Sequence, residues 1–281
     1  MKKVLIAVVV GVLCLSGYAL AQKRPERPLP DSVKEKITGR IEGLQKVKAE
    51  EPVLVSVQGG TFTMGCTPEH YSVCNTYQSN PKHQVTVGDF RIGKYEVTQY
   101  QWDTVMNPSA ALKLGAREKS KPVTDVTWND VQEYISKLNA QTGKKYRLPT
   151  EAEWEFAARG GVKEHRYLYS GSNTAQTVAW TSENFSGTMT AAAPQQVGTK
   201  AANELGIYDM SGNVWEWVQD WYGQYSDAAQ TNPTGPSSGD ARVIRSGSVN
   251  QAAKSSNVTS RASRFPGSND WITGFRVAMD K

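Results

Sequence analysis

Cysteine is scarce. There are 3 in 281 residues, at positions 14, 66 and 74, and none from residue 75 to the end. Two sulfurs eight apart with no neighbouring Cys/His pair make a poor zinc site. Long apolar stretches are also missing: the mean hydropathy is −0.52, which argues against a multi-span membrane protein. Charge of one sign is not in large excess. The chain has 32 Lys+Arg against 27 Asp+Glu, a net +5. No basic run interleaved with aromatics occurs, so nucleic acid is not an expected partner. Nothing resembles a nucleophile elbow, so no Ser-His-Asp arrangement is suggested.

Part of the positive charge belongs to the N-terminus. Lys2 and Lys3 precede an apolar run from Val4 to Leu15, and Ala19-Leu20-Ala21 follows before Gln22. That order reads as a secretory signal peptide over residues 1–21, cleaved after Ala21, with a periplasmic or secreted product. The rival reading is a lipoprotein signal using Cys14, disfavoured by Leu13 next to it. No transmembrane span then remains. In an oxidising compartment Cys66 and Cys74 are expected to pair. A bridge closing so short a loop stabilises by ~2.6 kcal/mol in the chain-entropy picture; two free thiols are the alternative.

Residues 22–50 read as a proline-bearing linker followed by a helix. Its apolar stripe is Val33, Ile37, Ile41, Leu44 and Val47. Globular signals occupy residues 51–281. Leu54 to Val57, Thr61 to Met64 and Gln84 to Phe90 read as strands, the last with one irregularity. Thr98 and Gln101, and Thr150 and Glu153, form capping boxes, and Thr127 can cap a helix carrying Val131, Ile135 and Leu138 up to Gly143. Glu151, Glu153 and Glu155 read as a capping, solvated and packing set. Beyond Gly161 helix signals fade, and residues 162–207 and 222–242 read as long ordered loops that need fastening.

Six segments occur in one order: Gly59–Gly65, Lys94–Thr98, Pro122–Trp128, Arg147–Glu155, Gly206–Trp217 and Gly274–Arg276. Their sequences, among them GGTFTMG, RLPTEAEWE, GIYDMSGNVWEW and GFR, resemble the sulfatase-modifying factor family, whose founding member is the formylglycine-generating enzyme. The resemblance implies an α+β, C-type-lectin-like fold with little regular secondary structure, long loops and bound calcium. It also implies where chemistry would sit. The enzyme holds copper on two cysteines between a Gly-Ser landmark and an Arg, because soft sulfur suits Cu(I). Here that stretch runs from Ser246 to Arg261 without cysteine, and Cys66 and Cys74 do not match the pair. No copper is expected, and the chain reads as non-catalytic. A second branch of the wider family uses non-haem iron on two histidines and a carboxylate. His70, His83 and His165 are never two within a helical turn, so that site is not suggested either.

Structural calcium is implied at Asp209, Gly212, Val214 and Glu216, where hard oxygen donors from side chains and carbonyls converge on a tight bend. The alternative is that Asp209 caps a turn and Glu216 forms a buried salt bridge. A second family site would begin at Asn184-Phe185, but Gly187 to Lys200 supplies no acidic residue. Trp215 and Trp217 read as core beneath the loop. Arg261 and Arg276 read as scaffold residues. In the enzyme the segment between Ser248 and Gly274 lines the substrate cleft. Here Asn250, Gln251, Lys254 and Asn257 offer hydrogen bonds, while Arg264 and Trp271 belong to the types that dominate interface hot spots.

The function expected from these features is an exported binding or assembly module. Its ligand, a protein, peptide or glycan, would sit on the 246–273 segment. One alternative is a formylglycine-generating oxidase or sulfatase activator. Another is a surface-displayed variable lectin-like protein, since members of this fold diversified by retroelements vary between the same landmarks. Two Asp-Ser/Thr-Val triplets, at Asp31 and Asp103, resemble an O-glycosylation pattern.

Overall fold

The computed structural model describes residues 30–36, 48–74, 79–185 and 192–281, except the side chains of Val73 and Cys74. The chain divides into two contact units, Met1–Gly43 and Leu44–Lys281. Within the first, residues 31–36 are helical, and Lys34 pairs with Asp31 at 2.8 Å. The signal segment and residues 37–47 of the expected helix lie outside the described residues.

The second unit opens with β1 (Leu54–Val57), β2 (Gly60–Met64), β3 (His83–Val87) and β4 (Phe90–Gly93). Helices α1 (Gln99–Met106), α2 (Trp128–Thr142) and α3 (Glu151–Ala158) follow. The C-terminal part carries β5 (Trp215–Trp221), β6 (Gln230–Thr231), β7 (Arg242–Arg245), β8 (Arg261–Arg264), β9 (Thr273–Phe275) and β10 (Ala278–Asp280). The sheets run β1-β4-β10, β2-β3-β6 and β8-β7-β5-β9. All three helices start where their caps predict. Thr98, Thr127 and Thr150 each accept the third helical N–H, while Gln101, Asp130 and Glu153 reach back to the cap. Gly143 stops α2 with φ 72.

The stretch from Gln84 to Phe90 is two strands, not one irregular one. Gly88 and Asp89 break it because both make contacts outside the ladder. The Gly88 N–H donates to Asn232 Oδ1 at 2.7 Å, and the Asp89 carboxylate accepts the Gly59 N–H at 2.8 Å. The Asp103 triplet is not a modification site in the folded chain. Thr104 is buried, its hydroxyl donating to the Gln101 carbonyl and accepting the Glu50 N–H.

β5 explains how the core is organised. A strand alternates its side chains between two faces. Trp215 and Trp217 face a cluster with Val131, Tyr134, Ile135 and Leu138 of α2 and with Phe275. Val218 belongs to the second cluster, with Trp154 and Phe156 of α3 and Phe62 and Val85 of the second sheet. Trp215 and Trp217 are therefore core, as expected. The even-numbered face of β5 also carries two carboxylates, Glu216 and Asp220, both buried.

Candidate functional site

Buried ion pairs fix the framework of the site. Glu151 and Glu155, one turn apart on α3, are both buried, whereas a partly solvated set was expected. The guanidinium of Arg245 on β7 bridges them, 2.8 Å from each. Arg261 on β8 donates twice to Glu151, at 2.7 and 2.9 Å. Arg159 holds the other oxygen of Glu155. Glu153, the remaining carboxylate, takes the capping contact and a two-pronged pair with Arg147. Burying charges costs several kcal/mol each, so each needs a partner with good geometry. The helix motif and the C-terminal strands thereby become one unit.

The Asp209–Glu216 segment is a second charged centre. Asp209, Gly212 and Asn213 all have left-handed backbone, φ 58, 79 and 58. Gly212 has no alternative, since a Cβ there would lie 2.2 Å from the Trp180 carbonyl oxygen. The curl turns Asp209 inward, where Oδ2 accepts the Gly198 N–H at 2.6 Å. Asp209 Oδ1 is buried with no hydrogen-bond partner. Glu216 is fully committed: Arg276 donates to both its oxygens, at 2.7 and 2.6 Å, and the Trp154 indole N–H donates at 2.7 Å. Glu96, which carried no assigned role, completes the centre. It accepts from the Asn213 amide at 2.6 Å and from the Val214 N–H at 3.3 Å.

Three buried carboxylates thus face one guanidinium, and the electrostatics show it. Burial, with the charges of Asp209 and Glu216, holds the Glu96 carboxyl well above its ordinary range. Burial pushes Asp209 up to about 6, against the pull of the Gly198 N–H and Arg276. Among the described residues no three His, Cys, Asp or Glu side chains form a ready-made metal cage. A cation here would draw on the unpaired Asp209 oxygen and on backbone carbonyls. The Gly212 carbonyl accepts the Ser246 hydroxyl at 2.9 Å and has a second lone pair. Glu216, expected as a side-chain ligand, instead forms the buried salt bridge with Arg276, so a hard divalent cation would rest on Asp209 and the backbone carbonyls.

Asn184 Oδ1 accepts the Thr181 N–H at 2.7 Å, capping a single helical turn, and Phe185 packs against Trp180. Cys66 is buried and disulfide-bonded; the Cys74 side chain lies outside the described residues.

The structure separates the residues proposed for ligand contact into two groups, one before β8 and one after it. Before it, Asn257 is a correction. It is wholly buried, its amide donating to the Lys254 carbonyl and its oxygen accepting the Thr259 N–H and hydroxyl. It organises the loop and cannot meet a ligand. Asn250 accepts the Ser248 hydroxyl at 2.8 Å, and the Gln251 carbonyl accepts the Ser182 N–H at 2.9 Å. Lys254 is exposed. After β8, Arg264 pairs with Asp270 at 2.6 Å across a loop whose ends carry Phe265, 67% exposed, and Trp271, 43% exposed. The Asn269 amide ties this loop to the Asp125 carbonyl at 3.0 Å.

The profile of the sulfatase-modifying factor enzyme 1-like domain matches residues 42–281. The chain belongs to that family. Among its relatives, the chaperone protein LppX of Paenibacillus barcinonensis is 38% identical over 216 residues, 60% of this chain and 71% of that protein. The formylglycine-generating enzyme of Streptomyces coelicolor is 35% identical over 172 residues, 57% of this chain and 52% of that enzyme. The chain thus spans about half the length of that relative. Of solved structures, Treponema denticola variable protein 1 superposes with a TM-score of 0.72 at 26% identity, covering 84% of this chain and 98% of that one. PvdO from Pseudomonas aeruginosa gives 0.66 at 28%, covering 83% and 97%. The α+β, formylglycine-generating-enzyme (C-type-lectin-like) fold implied by the sequence is the fold present.

Within this sulfatase-modifying-factor domain, the stretch between Ser246 and Arg261 is tightly filled. Val249, Ser256, Val258, Thr259 and Ser260 are all buried. Among the described residues no helix is long and apolar enough to cross a membrane.

Proposed function

We propose that the chain is an exported, non-catalytic binding module of the sulfatase-modifying factor family, acting in the periplasm or at the cell surface. One observation carries this reading. The stretch that should present two thiolates for copper, from Ser246 to Arg261, has no cysteine, and its small polar side chains turn inward. The binding surface is the loop between β8 and β9. Phe265 and Trp271 are exposed there on a base held by the Arg264–Asp270 pair. Loops presented by a rigid scaffold are the usual place for recognition. The name of the Paenibacillus relative, a chaperone protein, supports a protein or peptide ligand. Calcium at the Asp209 centre fastens the loops, and a Cys66–Cys74 bridge closes the N-terminal one. Export rests on the residues from Lys2 to Ala21.

The test is direct. Supplied with copper, oxygen and a peptide carrying the sulfatase cysteine motif, the protein should leave the peptide cysteine unchanged in mass. Turnover above a no-protein control would overturn the non-catalytic reading. A displayed variable protein is the second reading, favoured by the likeness to Treponema denticola variable protein 1. A template repeat and a reverse-transcriptase gene beside the coding sequence would establish it; their absence would remove it.

A further inference from the structure

A cavity of about 470 Å³ lies under the N-terminus of α3, and nothing above uses it. Asp220 of β5, Glu151 of α3 and Arg261 of β8 line it, together with Trp221, Tyr225 and Pro236. Its volume falls within the range of small-ligand sites. Glu151 is saturated, accepting from Tyr225, Arg245 and Arg261. Asp220 is not. It is 3% exposed, and its Oδ2 accepts the Glu151 N–H at 2.9 Å. Among the described residues no basic group lies at salt-bridge distance from it, Arg245 and Arg261 pairing with Glu151 instead. An acid buried this deeply without a cation is unusual, because buried charges are ordinarily paired.

The surroundings say which ligand suits it. Glu151 and Glu153 face Asp220 from α3, Arg261 from β8 and Arg242 from β7. His83 of β3 and Tyr225 line the same cavity. Glu151 is already held by Arg245 and Arg261, and Glu153 by Arg147, so Asp220 is the carboxylate of this lining without a directly paired cation. Trp221, Pro236 and Tyr225 add apolar surface to the lining, with Arg242 stacked over Trp221 and Arg261 over Tyr225, and the methylenes of a long cationic chain can lie along such surface. We propose that this cavity takes an alkylammonium or alkylguanidinium group, such as a lysine or arginine side chain of a peptide, with Asp220 as its counter-ion. The contact is a charge-assisted hydrogen bond to a carboxylate.

In the free protein a proton takes the place of the cation. Burial, reinforced by Glu151, pushes Asp220 up to about 8. The incoming cation therefore displaces a proton, and binding tightens as pH rises towards that value. This site uses no residue of the 264–271 loop, so it stands or falls apart from the binding surface proposed above.

The experiment titrates the full chain with n-butylammonium and with Nα-acetyl-lysine methylamide, by calorimetry in buffers of different ionisation enthalpy. Neutral n-butanol and glucose are the controls. A group titrating at about 8 makes the apparent Kd fall about 50-fold between pH 6 and pH 8, with up to one proton released per cation bound. Tighter binding of the lysine derivative identifies a peptide as the source; tighter binding of butylammonium identifies a free amine. Asp220→Asn still offers an oxygen to the Glu151 N–H and has the charge of the protonated acid. It should fold and lose cation binding at least tenfold. A flat pH profile in the unsubstituted protein, no cation binding, binding of n-butanol or glucose at least as tight, or undiminished binding by a folded Asp220→Asn would each overturn the proposal.

Discussion

Arg245→Met tests how the α3 motif and the C-terminal strands are joined. Arg245 is 0% exposed and spans Glu151 and Glu155, with a further bond to the Val258 carbonyl at 2.8 Å. Removing one partner of a buried ion pair costs ~3–5 kcal/mol, since the remaining charge keeps its desolvation cost. The lower half of that range applies. Glu155 keeps Arg159 and the Gly65 N–H, and Glu151 keeps both bonds from Arg261. The expected loss is about 3 kcal/mol, a fall in Tm of roughly 6–12 °C at this chain length. Urea unfolding followed by tryptophan fluorescence measures it, with an unchanged m-value certifying that stability alone moved. Adding Glu155→Gln to Arg245→Met should cost less than the sum of the two single changes, because both remove the same Arg245–Glu155 contact, a coupling that only groups in contact show. A loss under ~1 kcal/mol, or strictly additive single changes, would show that packing alone holds α3 to the strands.

Chelation should lower the Tm of the protein, and Asp209→Ala should abolish that dependence; coincident melting curves with and without chelator would end the calcium assignment. Non-reducing intact mass should show the chain starting at Gln22 with a Cys66–Cys74 bridge; a lipid adduct on Cys14 would overturn the cleavage site and the localisation, and two free thiols would overturn the bridge. Once a ligand is identified, Trp271→Ala should weaken it by ~1–3 kcal/mol with little change in Tm, and unfolding instead would make Trp271 core. The folded pKa of Asp220 lies above its unfolded value, so the native state binds more protons. Its stabilising contribution is full below about pH 4 and is lost as pH rises through about 8, with a slope of up to ~1.4 kcal/mol per pH unit. Asp220→Asn should remove that slope, and an identical pH dependence of unfolding free energy in the two proteins would contradict it.

Helices and the first hairpin were legible because they obey short-range rules. Thr127 caps α2 and Val131, Ile135 and Leu138 recur on its buried face, all within one window of sequence. The strands after residue 214 were not legible. β5 reads Trp-Glu-Trp-Val-Gln-Asp-Trp, and its Glu216 and Asp220 lie in the interior. Alternation signals a strand only when the polar positions meet water. Here they meet Arg276, the Trp154 indole and the Glu151 N–H, from residues up to 69 positions away. β7 and β8 are obscured in the same way by Arg245 and Arg261.

The candidate sites divide along the same line. The Asp209–Glu216 loop stood out as a local pattern, but Glu96, more than a hundred residues earlier, supplies a third carboxylate that no spacing rule connects to it. Conversely, Asn257 resembled its neighbours Asn250 and Lys254 in type, and only the Lys254 and Thr259 contacts reveal that it faces inward. The Asp220 cavity had no sequence signature at all. Its acid, its saturated neighbour and its guanidinium come from β5, α3 and β8. The charges buried in this fold do two different jobs. Where an arginine is present, as at Glu151, Glu155 and Glu216, they bind elements together. Where none pairs directly, as at Asp220 and Asp209, burial raises the carboxyl instead, to about 8 and about 6.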